Sequence, residues 1–141
     1  MILLDTNVVF EPLKLTADVG VITWIDAQIV ETLYLSAISL AELRFGIAAL
    51  PSGKRKDTLH ASLEQRILPL FMDRILPFDA AASEAYAALR TRARTQGMAI
   101  SPADGYIAAT ATTHGLIVAT RDTGPFEAAG LTVINPWHTP H

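Results

Sequence analysis

Four carboxylates of this sequence stand where an apolar run ends or a helix begins. Asp5 follows Ile2-Leu3-Leu4, Glu42 follows Ser39-Leu40-Ala41, Asp104 follows Ser101-Pro102-Ala103, and Asp122 closes Val118-Ala119-Thr120-Arg121. Carboxylate oxygens are hard donors. The chain has no cysteine, and its four histidines, His60, His114, His138 and His141, show no ligand or triad spacing. A site built from these acids would therefore take Mg²⁺ or Mn²⁺ rather than Zn²⁺. Each acid also has a structural reading. Asp104 in the first turn of a helix gains roughly 0.3–1 kcal/mol from the helix dipole, and Glu42 three residues after Ser39 completes a capping box. What separates the readings is whether the fold brings the four together.

The elements that would do so can be read from the hydrophobic pattern. Met1 to Leu4 reads as a short central strand ending at Asp5-Thr6-Asn7, and Glu11-Pro12 breaks the chain. A short amphipathic helix is predicted over 18–28, with Val21, Ile22 and Ile25 on its inner face around Trp24. A second strand follows over 32–37, around the β-favouring Leu33-Tyr34-Leu35. Ser39 then reads as the cap of a helix to about residue 50, which Pro51-Ser52-Gly53 ends. A charged helix over 54–70 carries the stripe Leu59, Leu63, Ile67 and Leu70, and its opening Lys54-Arg55-Lys56 reads as a solvated helix end. Residues 74–78 form a third strand, and Asp79 caps an alanine-rich helix to about residue 96, closed by Gly97. Ser101 and Pro102 open the next helix. A strand over 116–119, a turn or short helix over 123–130 and a last strand over 131–135 complete the pattern.

Strands alternating with helices predict right-handed crossovers and a mostly parallel sheet. In such a sheet the strand ends and the first turn of each following helix share one edge, where ligands bind. Asp5 and Asp122 end strands, and Glu42 falls in a first turn. Asp104 opens a helix that runs back toward the start of strand four, so it begins at the same edge. Four uncompensated carboxylates on one rim repel one another, and a divalent cation removes that cost. Asp79 follows a strand at the sheet margin and is assigned to capping alone.

The length of 141 residues suits one domain, expected over 1–137 with a tail at 138–141. Half of the residues are hydrophobic and 18% are charged, which excludes a disordered chain. The opening residues lack a basic n-region, and their apolar run is too short for a membrane span, so a cytoplasmic protein away from membranes is expected. A formal net charge of −3 argues against a generic polyanion-binding surface. If nucleic acid is the substrate, a metal and a local basic patch must carry the attraction.

Leu3-Leu4-Asp5-Thr6-Asn7, Ser39-Leu40-Ala41-Glu42-Leu43-Arg44-Phe45-Gly46, Pro102-Ala103-Asp104-Gly105-Tyr106-Ile107-Ala108-Ala109 and Val118-Ala119-Thr120-Arg121-Asp122 together resemble the PIN-domain ribonucleases. The similarity is greatest to VapC-type toxins of toxin–antitoxin pairs, in the FitB-like branch, and runs from Met1 to Trp137. The resemblance implies a three-layer α/β/α fold with strand order 3-2-1-4-5 and metal-dependent endonuclease action on RNA. It implies Asp5, Glu42, Asp104 and Asp122 as the catalytic and Mg²⁺- or Mn²⁺-binding acids, with Thr6, Asn7 and Thr120 supporting them. It also implies a cognate antitoxin and a homodimer. Lys14, Arg44 and Arg121 are candidate RNA contacts, each with an alternative as a surface ion-pair partner. Phe10 is a departure, since related chains often carry a small polar residue before the Glu at that point.

Two other classes begin with a strand and an acid. A haloacid-dehalogenase-type phosphotransferase requires a second acid two residues after the first, where this chain has Asn7. A receiver-like signalling domain requires paired acids after strand one and a Lys after the last strand, and Asn135-Pro136 supplies none.

Overall fold

The computed structural model describes residues 1–138; the last three residues of the expected tail, Thr139, Pro140 and His141, lie outside the described residues. Five short parallel strands form one sheet in the order β3-β2-β1-β4-β5, as the resemblance implied. They are β1 (Ile2–Leu4), β2 (Leu33–Ser36), β3 (Ile75–Leu76), β4 (Ile117–Ala119) and β5 (Val133–Ile134). Central β1 pairs with β2 through Leu3 and Tyr34 and with β4 through Leu3 and Val118. The sheet is covered on both faces, and the alternation of the pleat sorts its residues between two cores. Leu3 and Val118 pack on one side with α5 (Ala80–Thr95), α6 (Pro102–His114) and α7 (Thr123–Ala128), around Leu89, Ile107 and Phe126. Leu4, Leu35 and Ala119 pack on the other with α1 (Thr6–Phe10), α3 (Ala37–Ala48) and α4 (Lys54–Ser62), around Val8, Leu43 and Leu59. Strands buried on both faces explain the unbroken apolar runs that end at Asp5 and at Thr120.

Several element ends differ from the sequence reading. The chain does not break at Glu11-Pro12, as the sequence reading had it. Asp5 caps α1 by accepting the Thr6 amide, and Pro12 sits in the first turn of a following 3-10 helix, Glu11–Leu13, where its missing N–H costs nothing. Helix α2 (Val19–Asp26) is capped by Asp18 and buries only Val21 fully. The cap of α3 is Ser36 rather than Ser39: its hydroxyl accepts the Ile38 amide, while Ser39 lies inside the helix with its hydroxyl buried and unpartnered. Glu42 is thus the sixth residue of α3, and the first-turn capping box does not form. The expected long charged helix ends at Ser62, passes through a π-helical turn over Leu63–Ile67 and finishes as a 3-10 turn over Leu68–Phe71. Pro69 lacks the amide to continue an α-helix and clashes with the turn before it. The stripe shifts accordingly, so Leu68 and Phe71 are buried and Leu70 is exposed.

Asp79 and Ser101 cap α5 and α6 through the Ala82 and Asp104 amides, as predicted. Gly115 ends α6 in the left-handed conformation, φ 65°, which a side chain rarely adopts. Strand β3 is the sheet margin, consistent with the assignment of Asp79 to capping.

Candidate active site

Strands β1 and β4 lie side by side, and both connections out of the central pair leave in opposite directions across the sheet. Their C-terminal ends make a crevice, and the ends of the apolar runs place acids there. Asp5 is the deepest, 4% exposed. Its amide donates to the Ala119 carbonyl at 2.9 Å, continuing the sheet one residue beyond β1. Its Oδ1 accepts the Thr6 amide at 2.8 Å and its Oδ2 accepts the hydroxyl of the buried Thr120 at 2.8 Å. The same Thr120 oxygen accepts the Asp122 amide at 3.0 Å, which fixes the turn carrying the exposed Asp122. Thr6 reaches across from α1 and donates its hydroxyl to Glu42 Oε1 at 2.7 Å. Asp104 is half-buried in the first turn of α6.

Repulsion couples Asp5 to Asp104 and Glu42, and Asp104 to Asp122 and Glu42. Burial pushes the Asp5 carboxyl up from an ordinary 3.8 to about 6, opposed by the hydrogen bonds from Thr120 and Thr6 and reinforced by repulsion from Asp104 and Glu42. Burial also raises Asp104, against its hydrogen bond with Ser101, with repulsion from Asp122 and Glu42 adding to the rise. Among the described residues no three Asp, Glu or His side chains are grouped tightly enough to grip a cation as placed. The donor chemistry fits a hard divalent cation: Asp5, Glu42, Asp104 and Asp122 offer carboxylate oxygens, and the Thr6 and Thr120 hydroxyls hold two of them.

Of the supporting residues, Thr6 and Thr120 hold acids directly. Asn7 does not, and its Oδ1 is buried without a partner. Beside Glu42, Thr6 and Asn7 opens a groove of about 360 Å³ with Phe10 and Leu43 on its walls and Arg55 at its margin. Arg55 had been read as part of a solvated helix end, and no sequence spacing links it to Glu42; only the packing of α4 against α3 does. Of the candidate RNA contacts, Lys14 pairs with Glu11 at 3.0 Å and Arg44 with Glu64 at 2.8 Å, whereas Arg121 lies over the Trp137 ring, 5.0 Å from its centroid. Glu11, beside the anomalous Phe10, is buried; besides Lys14 it accepts the Asp18 amide at 3.0 Å and so ties the 3-10 turn after α1 to the cap of α2.

A parallel sheet in the order 3-2-1-4-5, with an acidic crevice where its central strands end, defines a PIN-type α/β/α protein. A PIN domain family model matches residues 2–131, and the chain belongs to that family. It is 60% identical over 137 residues to the VapC ribonuclease Y4jK of Sinorhizobium fredii, covering 97% of this chain and 98% of the relative. It is 58% identical to the toxin FitB of Neisseria gonorrhoeae, covering 98% and 99%. A solved structure of FitAB bound to an IR36 DNA fragment superposes with a TM-score of 0.96 at 55% identity, covering 100% of this chain and 99% of that one. The phosphotransferase and receiver readings give way to this family.

Proposed function

We propose that the chain is a metal-dependent endoribonuclease, the toxin of a toxin–antitoxin pair, folded as a single domain over residues 1–137. What supports the reading is buried Asp5 at the end of β1 of a PIN fold, with Thr6 contacting both it and Glu42, and with Asp104 and Asp122 within electrostatic reach. The close relatives named as a VapC ribonuclease and as toxin FitB support the activity and the role. A cognate antitoxin is the expected protein partner, RNA the substrate, and a homodimer the expected assembly. Among the described residues no helix is long and apolar enough to cross a membrane, and a cytoplasmic site of action fits the proposed substrate.

Mg²⁺ or Mn²⁺ would be held by the four carboxylates. Such an ion, when bound, supplies a water of lowered pKa and neutralises charge on the scissile phosphate. The chain's own groups supply the orientation. Thr120 and the Thr6 amide fix both oxygens of Asp5, Thr6 turns Glu42 toward the crevice, and the Thr120–Asp122 contact sets the turn of the fourth acid. Asn7 Oδ1, lacking a partner, is an additional oxygen acceptor beside Glu42.

Cleavage of a panel of structured RNAs in Mg²⁺ or Mn²⁺ tests the reading. Wild type should cut and chelator should stop it. Asp5→Asn should lose cutting while its circular dichroism is kept, and Asp79→Asn should cut normally because Asn caps a helix as well as Asp. Undiminished cutting by Asp5→Asn would sink the proposal.

A further inference from the structure

The helical hairpin of α5 and α6 carries a second feature, which meets the residue after Asp104 through Tyr86. A groove of about 790 Å³ runs along α5 and the loop that follows it, lined by Tyr86, Arg90, Thr91, Arg94 and Met98 among others. Its charge is anomalous for this chain. Residues 85–103 hold three arginines and no acid, within a protein of formal net charge −3. Arg90 and Arg94 are four residues apart, about 6 Å along the helix axis, and both line the groove. Among the described residues the ion pairs are Lys14–Glu11 and Arg44–Glu64, so neither arginine has an acid partner.

The groove is joined to the acid rim through a rigid wall. Tyr86 lies against Gly105, the residue after Asp104, so closely that a Cβ there would stand 2.8 Å from the tyrosine ring. Tyr86 stacks on Tyr106 with centroids 4.9 Å apart, and Phe78 packs edge-on at 4.9 Å from Tyr106. The tyrosine hydroxyl in turn accepts Arg90 Nη1 at 2.6 Å, and the guanidinium carbon stands 5.6 Å from the Tyr86 centroid. Arg90 is therefore held in place before any ligand arrives, which cuts the ordering cost of binding. Ala87, on the turn of α5 before Arg90, and Ala99 in the following loop also line the groove, and their small side chains leave it width.

Resting on the ribonuclease reading, we infer that this groove is the track for a single-stranded segment of RNA flanking the cut site, Arg90 and Arg94 each holding a backbone phosphate. The cation over the acids would neutralise the scissile phosphate, and the arginines would carry the neighbours that the rim itself repels. Planar guanidinium groups suit phosphate oxygens, and paired arginines on rigid helix turns fix the register of a strand. Tyr86 is a positioning residue, since both its hydroxyl and a ring face serve Arg90 or Tyr106.

The test uses the Asp5→Asn chain in Mg²⁺, so that a labelled oligo-uridine of about ten nucleotides stays intact, a length within single-strand site sizes. Binding is followed by fluorescence anisotropy from about 50 to 200 mM salt, the range in which phosphate contacts are read from the slope. Arg90→Ala and Arg94→Ala should each weaken binding and make the slope of log affinity against log salt shallower by about 0.7, one phosphate contact on a single strand. Arg94→Lys should keep the slope. Arg92→Ala, on the same helix but packed against Gly130, removes the same charge and should leave the slope unaltered. Equal slopes for the Arg90 and Arg92 variants, or no binding at the lowest salt, would overturn the inference. So would a change in oligomeric size in the Arg90 and Arg94 variants with the RNA slope unmoved, which would seat a second copy in the groove. Failure of the wild type to cut any RNA would defeat the ribonuclease reading separately, leaving the salt slopes to judge the groove.

Discussion

A carboxylate as deep as that of Asp5 makes the metal-free fold depend on pH in an unusual direction. Its folded-state value, about 6, lies above the ordinary 3.8, so the folded chain binds this proton more readily than the unfolded one. The stabilisation linked to that proton is complete below pH 3.8 and is lost as the pH rises through about 6, amounting in full to roughly 3 kcal/mol. In chelator, the protein should gain about 1 kcal/mol against denaturant on going from pH 7 to pH 5. Asp5→Asn should abolish most of that gain, and an unchanged pH profile in the variant would remove Asp5 as its source. The places of Asp5, Asp104 and Asp122 at strand ends or a helix start were legible in the sequence, whereas Glu42, read as a first-turn residue, lies a turn further into α3. The bond from Thr6 to Glu42 was not legible, since it joins residues 36 positions apart through the crossing of α1 and α3.

At the scale of elements, the two serines around the start of α3 separate a real cap from an apparent one. Ser36→Ala removes the hydroxyl that holds the Ile38 amide and should cost about 1 kcal/mol, loosening the helix that carries Glu42. Ser39→Ala removes a buried hydroxyl with no partner and should be neutral or stabilising by up to about 1 kcal/mol. Thermal unfolding of the pair checks both, and equal losses would restore the capping box. The sequence misled here because β2 runs into α3 with no loop between them, so the cap belongs to the strand's last residue. Asp79 and Ser101 were read correctly because each follows a short connection and stands alone as a cap. The π-helical turn after Ser62 was hidden because a stripe of leucines looks the same until Pro69 forces the chain to widen. Gly105 gives the packing counterpart. Its Cβ-less backbone admits Tyr86, a ring already fixed by Tyr106 and Arg90, so Gly105→Ala should destabilise by roughly 1–3 kcal/mol through overpacking. A tolerated alanine with unchanged melting temperature would show that the tyrosine is free to move.

The strand order was legible only through the resemblance, because alternation of strands and helices predicts a parallel sheet without fixing which strands are neighbours. That order sets the behaviour of the whole molecule, since it puts the ends of β1 and β4 together, the edge at which the four acids are proposed to act. Repulsion on this rim opposes folding in the absence of a counter-ion, and the unfolded chain, with its acids dispersed, has no equivalent site. A cation that binds the folded form alone stabilises it by mass action, about 2.7 kcal/mol at a hundredfold excess over its dissociation constant. For a chain of this length a kcal/mol is worth roughly 3 °C, so saturating Mn²⁺ or Mg²⁺ should raise the melting temperature by about 8 °C at neutral pH. Potassium chloride at matched ionic strength, which only screens the acids, should give much less. Asp5→Asn should lose most of the divalent shift, whereas Asp79→Asn should keep it, because that carboxylate caps a helix at the sheet margin. A melting temperature unmoved by millimolar Mn²⁺ and Mg²⁺, with all four acids intact, would mean that the rim holds no metal and that its charge is tolerated for some other reason.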